Sequence, residues 1–200
     1  MTIKEFNEKL SSSSPTPGGG AVTSLISSIA ISLSLMVANL TLGKKIYQEN
    51  EKEIILIKKD AEKYKKVFYN LINKDEEAYL ELLKSYKIPK DNINRDKNIE
   101  ESLIKAALVP LEVLTNIKNI IYILETLMIK GNKLLISDVA IATFIFKSAA
   151  ECSLMNIYIN TKSMKNIIKA KKINKEADKL TTNIIKRTNI ILNNIKKELL

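Results

Sequence analysis

Apolar residues recur along this chain at steps of three and four, and no stretch shows the sustained alternation of a strand bounded by turn residues. The clearest stripe closes the sequence, where Ile173, Ala177, Leu180, Ile184, Ile191, Ile195 and Leu199 share one helical face. Prolines stand only at 15, 17, 89 and 110, and there are five glycines, so the periodic runs are long. The pattern predicts a short helix near 2–10, then helices over 19–42, 50–86, 97–130, 137–163 and 166–198. That is an all-α fold: a bundle of five long helices plus a short N-terminal helix, forming a single domain over 1–200. Pro110, inside AALVPLEVL, should kink the 97–130 helix or divide it in two, and Gly131 with Asn132 should end it.

One helix differs from the rest. From Ser11 to Gly43 there is no charged residue, although charged residues make up 27% of the chain. Gly18, Gly19 and Gly20 lead into a run of small residues that closes on Lys44 and Lys45. A helix without a charged face must be covered on nearly every side. Its length would span a membrane, but Thr23, Ser24, Ser27, Ser28, Ser32, Ser34 and Asn39 are scattered along it, and Glu5 and Glu8 are wrong for a signal sequence. We expect no membrane insertion and a central helix whose small side chains let neighbours approach closely.

Composition narrows the chemistry. Cys152 is the one cysteine, so an intramolecular disulfide is impossible and a reducing, cytoplasmic setting is expected. The absence of histidine excludes Ser-His-Asp and Cys-His catalysis and histidine-ligated zinc, and no metal site is expected. Acid and base roles fall to carboxylates, lysines, tyrosines or amide-held water. The net charge is +10, and residues 162–198 hold eleven Lys or Arg against three acids. Only Arg95 and Arg187 are arginines, however, and aromatic residues are not interleaved with the basic ones, so no nucleic-acid partner is expected.

Polar residues interrupt two of the apolar stripes. In 50–86 the inward positions run Tyr64, Phe68, Leu71, Asp75, Ala78, Tyr79, Leu82 and Tyr86, so Asp75 occupies a core-facing place. Either it has a partner or a purpose there, or the stripe drifts and Asp75 lies at its edge beside Lys74. In 137–163, Asp138, Ala142, Ile145, Ala149, Cys152, Asn156 and Asn160 lie near one face. Ser137 and Asp138 also read as an N-cap pair, and Asn156 and Asn160 fit interhelical hydrogen bonding as well as ligand contact.

SSSSPTPGGGAV, MVANLT, GKKIY, DEEAY, IPK at Ile88 to Lys90, GN at 131, SD at 137 and NIYIN at 156–160 together resemble the cyclodeaminase/cyclohydrolase family. This family comprises the C-terminal domain of formiminotransferase-cyclodeaminase and stand-alone methenyltetrahydrofolate cyclohydrolases. The resemblance spans roughly residues 2–165. It implies a dimeric, all-helical enzyme with a tetrahydrofolate derivative as substrate, bound in a cleft associated with the dimer, and no tightly bound cofactor. Cyclohydrolysis of 5,10-methenyltetrahydrofolate is the preferred reaction, formiminotetrahydrofolate cyclodeamination the alternative, and a non-catalytic helical module the third reading. On this resemblance Asp75 is the catalytic carboxylate and Asp138 the second candidate. Ser13, Thr16, Pro17 and Gly18 to Gly20 would form a ligand-hugging turn, unless the glycines serve only to reverse the chain. Asn39, Lys44, Lys45, Tyr47, Tyr79, Lys90, Asn156 and Asn160 complete the expected substrate-binding set.

Overall fold

The computed structural model describes residues 2–200. Its helices follow the periodic runs, the short α1 at Ile3–Leu10 and then five long ones: α2 Gly19–Thr41, α3 Glu51–Tyr86, α4 Arg95–Lys130, α5 Ile136–Lys162 and α6 Ile167–Leu199. Short 3₁₀ segments at Lys45–Asn50 and Lys133–Leu135 lead into α3 and α5. No strand occurs among the described residues. α1 opens on a capping box, in which Thr2 accepts from the Glu5 amide and Glu5 accepts from the Thr2 amide, while Phe6 is its buried anchor.

α2 buries its hydroxyls without a charged partner because most of them bond back to their own helix. Thr23 donates to the Gly19 carbonyl, Ser27 to Thr23, Ser34 to Ala30 and Thr41 to Val37. Each hydroxyl is thereby satisfied in a dry environment and leaves a small surface for close packing. α2 packs against α3, α4 and α5, and α4 in turn touches α3, α5 and α6. The core runs through Ile31, Phe68, Leu114, Ile121 and Phe146, all fully buried. α2 and α4 are each long and apolar enough to cross a membrane, with windows of mean hydropathy 2.0 and 1.4. Of those windows 61% and 56%, respectively, are buried inside the bundle, as in core helices.

Coverage of α2 stops short of the expectation within one chain. Ile29, Met36 and Leu40 are 46%, 37% and 46% exposed, and Leu25 is half-buried, so an apolar stripe of α2 faces outward. α5 carries a second one through Ile141, Phe144, Met155 and Ile159.

Two local expectations are corrected. Pro110 does not divide its helix, since α4 continues from Arg95 to Lys130 around a buried Pro110. Ser137 and Asp138 are not the cap of α5. The helix starts at Ile136 after Leu135, no side chain caps it, and Asp138 sits inside the first turn. The preceding 3₁₀ segment explains this, because Asn132 caps that segment by accepting from the Leu134 amide and so fixes the chain's entry earlier. The end of α4 follows the sequence: Gly131 is its C-cap, where a Cβ would lie 2.4 Å from the Leu127 carbonyl oxygen.

Candidate active site

α2 and α3 run antiparallel, so the start of α2 lies beside the later turns of α3. α5 returns antiparallel to α2 on its other side and brings its last turns to the same end. A cavity of about 400 Å³ opens there, within the range of small-molecule sites. Thr16 and Gly18 to Gly20 form one wall, Asp75, Tyr79, Leu82 and Tyr86 of α3 a second, Leu103 and Ala106 of α4 a third, and Asn156, Asn160 and Ser163 of α5 the fourth. Among the described residues, Asp75 is the one charged side chain in this lining.

The glycine run is explained by what leans on it. A Cβ on Gly20 would stand 1.9 Å from Asp75 Oδ1 and 2.4 Å from its Cγ. A Cβ on Gly19 would come within 3.3 Å of Asn156 Oδ1, whereas one on Gly18 would meet nothing within 4 Å. None of the three takes a positive φ; among the described residues Gly43 alone does, at 73°. Chain reversal is therefore not what requires these glycines. Gly20 makes room for a carboxylate to sit against the first turn of α2, and Gly19 makes room for a carboxamide. The peptide bond between Thr16 and Pro17 just upstream is cis.

That placement sets the acidity of Asp75. Burial pushes its pKa up from 3.8 to about 6; the Ala21 amide pulls it down, and neighbouring Glu76 adds a smaller upward push. No lysine contributes. Lys74 is turned to Glu112 of α4 at 3.0 Å, and Glu76 is paired with Lys9 at 3.7 Å. Asp75 is thus partly buried on the stripe and opens onto the cavity, while Lys74 beside it is paired elsewhere. A carboxylate with a pKa near 6 and no ion-pair partner is mostly ionised at neutral pH and still basic enough to take a proton.

The other sequence candidates divide by location. Thr16, Gly18 to Gly20, Asp75, Tyr79, Asn156 and Asn160 line the cavity. Pro17 is buried behind it, while Ser13 and Lys90 are exposed and outside the lining. Lys44, Lys45 and Tyr47 lie beyond the far end of α2, around a second, smaller hollow. There the Tyr47 hydroxyl donates to Asn132 Oδ1 and accepts from the Lys133 amide. Asn39 is exposed near the same end, and Asp138 belongs to the first turn of α5, well away from Asn156. α2 has 23 residues, so at 1.5 Å per residue its ends are roughly 33 Å apart. One chain therefore does not bring its two groups of candidates together. Sequence reasoning missed Pro15, Leu82, Tyr86, Leu103, Ala106, Ile159 and Ser163 as lining residues. Tyr86 was within reach, because it sits seven residues after Tyr79 on the stripe already drawn. Among the described residues, no group of three or more acidic or cysteine side chains is placed to hold a metal ion.

The chain is thus an all-α bundle that seats one half-buried carboxylate on a glycine-opened helix start, inside a cavity of small-molecule size. The model of the formiminotransferase-cyclodeaminase family matches residues 2–179, and the chain belongs to that family. It is 29% identical over 167 residues to the methenyltetrahydrofolate cyclohydrolase of Methylorubrum extorquens, covering 82% of this chain and 80% of that one. The crystal structure of formiminotetrahydrofolate cyclodeaminase from Thermotoga maritima superimposes with a TM-score of 0.92 at 29% identity, covering 100% of this chain and 98% of that one.

Proposed function

We propose that this protein is a methenyltetrahydrofolate cyclohydrolase, with Asp75 as the group that activates water. The observation that carries the reading is the partly buried carboxylate held against Gly20, which among the described residues has no ion-pair partner and no cation beside it in the cavity lining. The substrate carries a delocalised positive charge on the N5–C–N10 bridge, and a lone carboxylate in a partly dry cavity complements that charge. Water attacks the bridging carbon as Asp75 takes its proton, giving a neutral tetrahedral adduct. The C–N5 bond then breaks as N5 takes the proton from Asp75, the adduct's hydroxyl gives up its own proton to solvent, and 10-formyltetrahydrofolate results. Tyr79 and Tyr86 offer aromatic faces at the cavity mouth for the planar ring system.

The cyclodeaminase reading is kept because the Thermotoga structure bears that name and the whole chain follows its fold. In that reaction N10 attacks the formimino carbon and ammonia leaves, through an adduct of closely related shape and charge. Incubating the protein with each folate separates the two. Loss of the methenyl chromophore above the spontaneous rate supports the cyclohydrolase, and chromophore gain with ammonia release supports the cyclodeaminase. No response to either would sink both.

The same reading includes a homodimer in the cytoplasm. The outward apolar stripes of α2 and α5 support a second copy, because exposed apolar surface of this continuity is normally covered. A two-fold axis crossing α2 near its middle would set the Lys44, Lys45 and Tyr47 end of one subunit beside the cavity of the other, where lysines would meet the substrate's carboxylate tail.

A further inference from the structure

Pro110 has a consequence for the cavity that its place in a continuous helix conceals. Proline lacks the amide that would bond the carbonyl four residues back, and that carbonyl belongs to Ala106, a cavity-lining residue. The Ala106 carbonyl instead accepts from Asn160 Nδ2 of α5 at 3.3 Å. The same nitrogen donates to the Asn156 carbonyl at 2.8 Å. Two main-chain oxygens on one end of the carboxamide fix its orientation, since the reverse placement would set Oδ1 against both. The nitrogen is thus engaged twice, and no donor among the described residues reaches Asn160 Oδ1. That oxygen belongs to a residue of the cavity wall.

We propose that Pro110 is a positioning residue. By freeing the Ala106 carbonyl it locks the Asn160 carboxamide with its oxygen toward the cavity, where it selects a ligand presenting an N–H donor edge. Resting on the folate reading, that edge is the amino and ring N–H side of the pterin, and Asn160 reads it as a fixed acceptor. A site whose acceptor is already oriented favours a ring with a matching donor over one without it, since the unmatched ring covers the acceptor and leaves it unpaired. The role concerns substrate binding and leaves Asp75 to the chemistry.

The test is a double-mutant cycle on Pro110→Ala and Asn160→Ala, reading kcat and KM for methenyltetrahydrofolate, with side-chain amide hydrogen exchange of Asn160 measured in the ligand-free protein. Pro110→Ala restores the helix amide, which recaptures the Ala106 carbonyl. We expect KM to rise about tenfold, the loss of one oriented hydrogen bond, with kcat within about twofold of wild type and faster Asn160 exchange. Asn160→Ala should raise KM by a similar factor, and the double variant should be no worse than either single one, because the two act through one contact. Additive effects, or an unchanged KM in Pro110→Ala beside an active wild type, overturn the proposal alone. A wild type inactive on both folates overturns the functional reading instead. The exchange rates then still decide the anchoring, and unchanged exchange in Pro110→Ala refutes it.

Discussion

Gly18, Gly19 and Gly20 share one chemistry and differ in their surroundings, and those surroundings make the glycine run a test of the site. Gly20→Ala drives a methyl group into the Asp75 carboxylate, which must rotate away. Displacing a catalytic base by about an ångström costs on the order of 100-fold in rate, so kcat/KM should fall by at least that much while circular dichroism shows an intact helical fold. Gly18→Ala meets open space and should keep near-wild-type activity; equal losses in the two variants would mean that the run serves flexibility. Asp75 carries a second prediction. With its pKa at about 6, kcat/KM should decline as pH falls through 6, and Asp75→Asn should lose roughly 100- to 10,000-fold at neutral pH. The stability effect has the opposite sign. Because the folded-state pKa is raised, the fold favours the protonated carboxyl; that contribution is complete below about pH 3.8 and is lost as pH rises through 6. Asparagine stays neutral throughout, so Asp75→Asn should be more stable than wild type at pH 7.5, by at most about 3 kcal/mol and by less where solvent in the open cavity screens the charge, and close to it near pH 4. Chemical denaturation at the two pH values measures this, and a variant less stable at pH 7.5 would show that ionised Asp75 is favourably held.

At the scale of elements, hydrophobic periodicity was sufficient wherever a helix owes its existence to its own buried face, as α6 and α3 do. It located Asp75 as well, because a carboxylate among Phe68, Leu71, Ala78 and Leu82 breaks a stripe that the fold then buries. It failed where one element answers to another. Of the two outcomes expected at Pro110, a split does not occur, since α4 runs through it, and the freed carbonyl finds a donor on α5, 50 residues downstream of the proline at Asn160. The cap assigned to Ser137 and Asp138 was displaced by Asn132, whose amide and side chain are tied to Thr41 and Leu40 across the bundle. Such ties join residues some 90 positions apart, and local pattern carries no trace of them. The charge-free run of α2 was legible as a helix needing cover, but the sequence alone did not reveal which face would remain open. That face yields a prediction at this scale. Ile29→Lys combined with Met36→Glu places charge on the exposed stripe without entering the core. The chain should remain helical and sediment as a monomer, whereas the wild type should sediment as a dimer; an unaltered oligomeric state would remove α2 from the interface.

For the whole molecule, the two groups of candidate residues pose a geometric problem that a single chain leaves open. Asp75 and Gly20 stand at one end of α2, and Lys44, Lys45 and Tyr47 at the other. Both groups border hollows, and a helix of 23 residues keeps them apart. A two-fold axis across the α2 stripe removes the separation, since the N-terminal end of one copy then faces the C-terminal end of the other. If each site is built this way, Asp75→Asn damages one subunit's own cavity, while Lys44→Ala with Lys45→Ala damages the cavity of its neighbour. Each variant alone should be impaired. After unfolding and refolding an equal mixture, half the dimers are hybrids, and each hybrid has one site with both defects and one with neither. Activity should therefore recover to about a quarter of wild type by random pairing alone. An assay of the refolded mixture, with hybrid formation verified by differently tagged subunits, decides the matter. Hybrids that form but show no recovery would confine the whole site to one chain, and a lysine variant as active as wild type would leave Lys44 and Lys45 as ordinary surface charge.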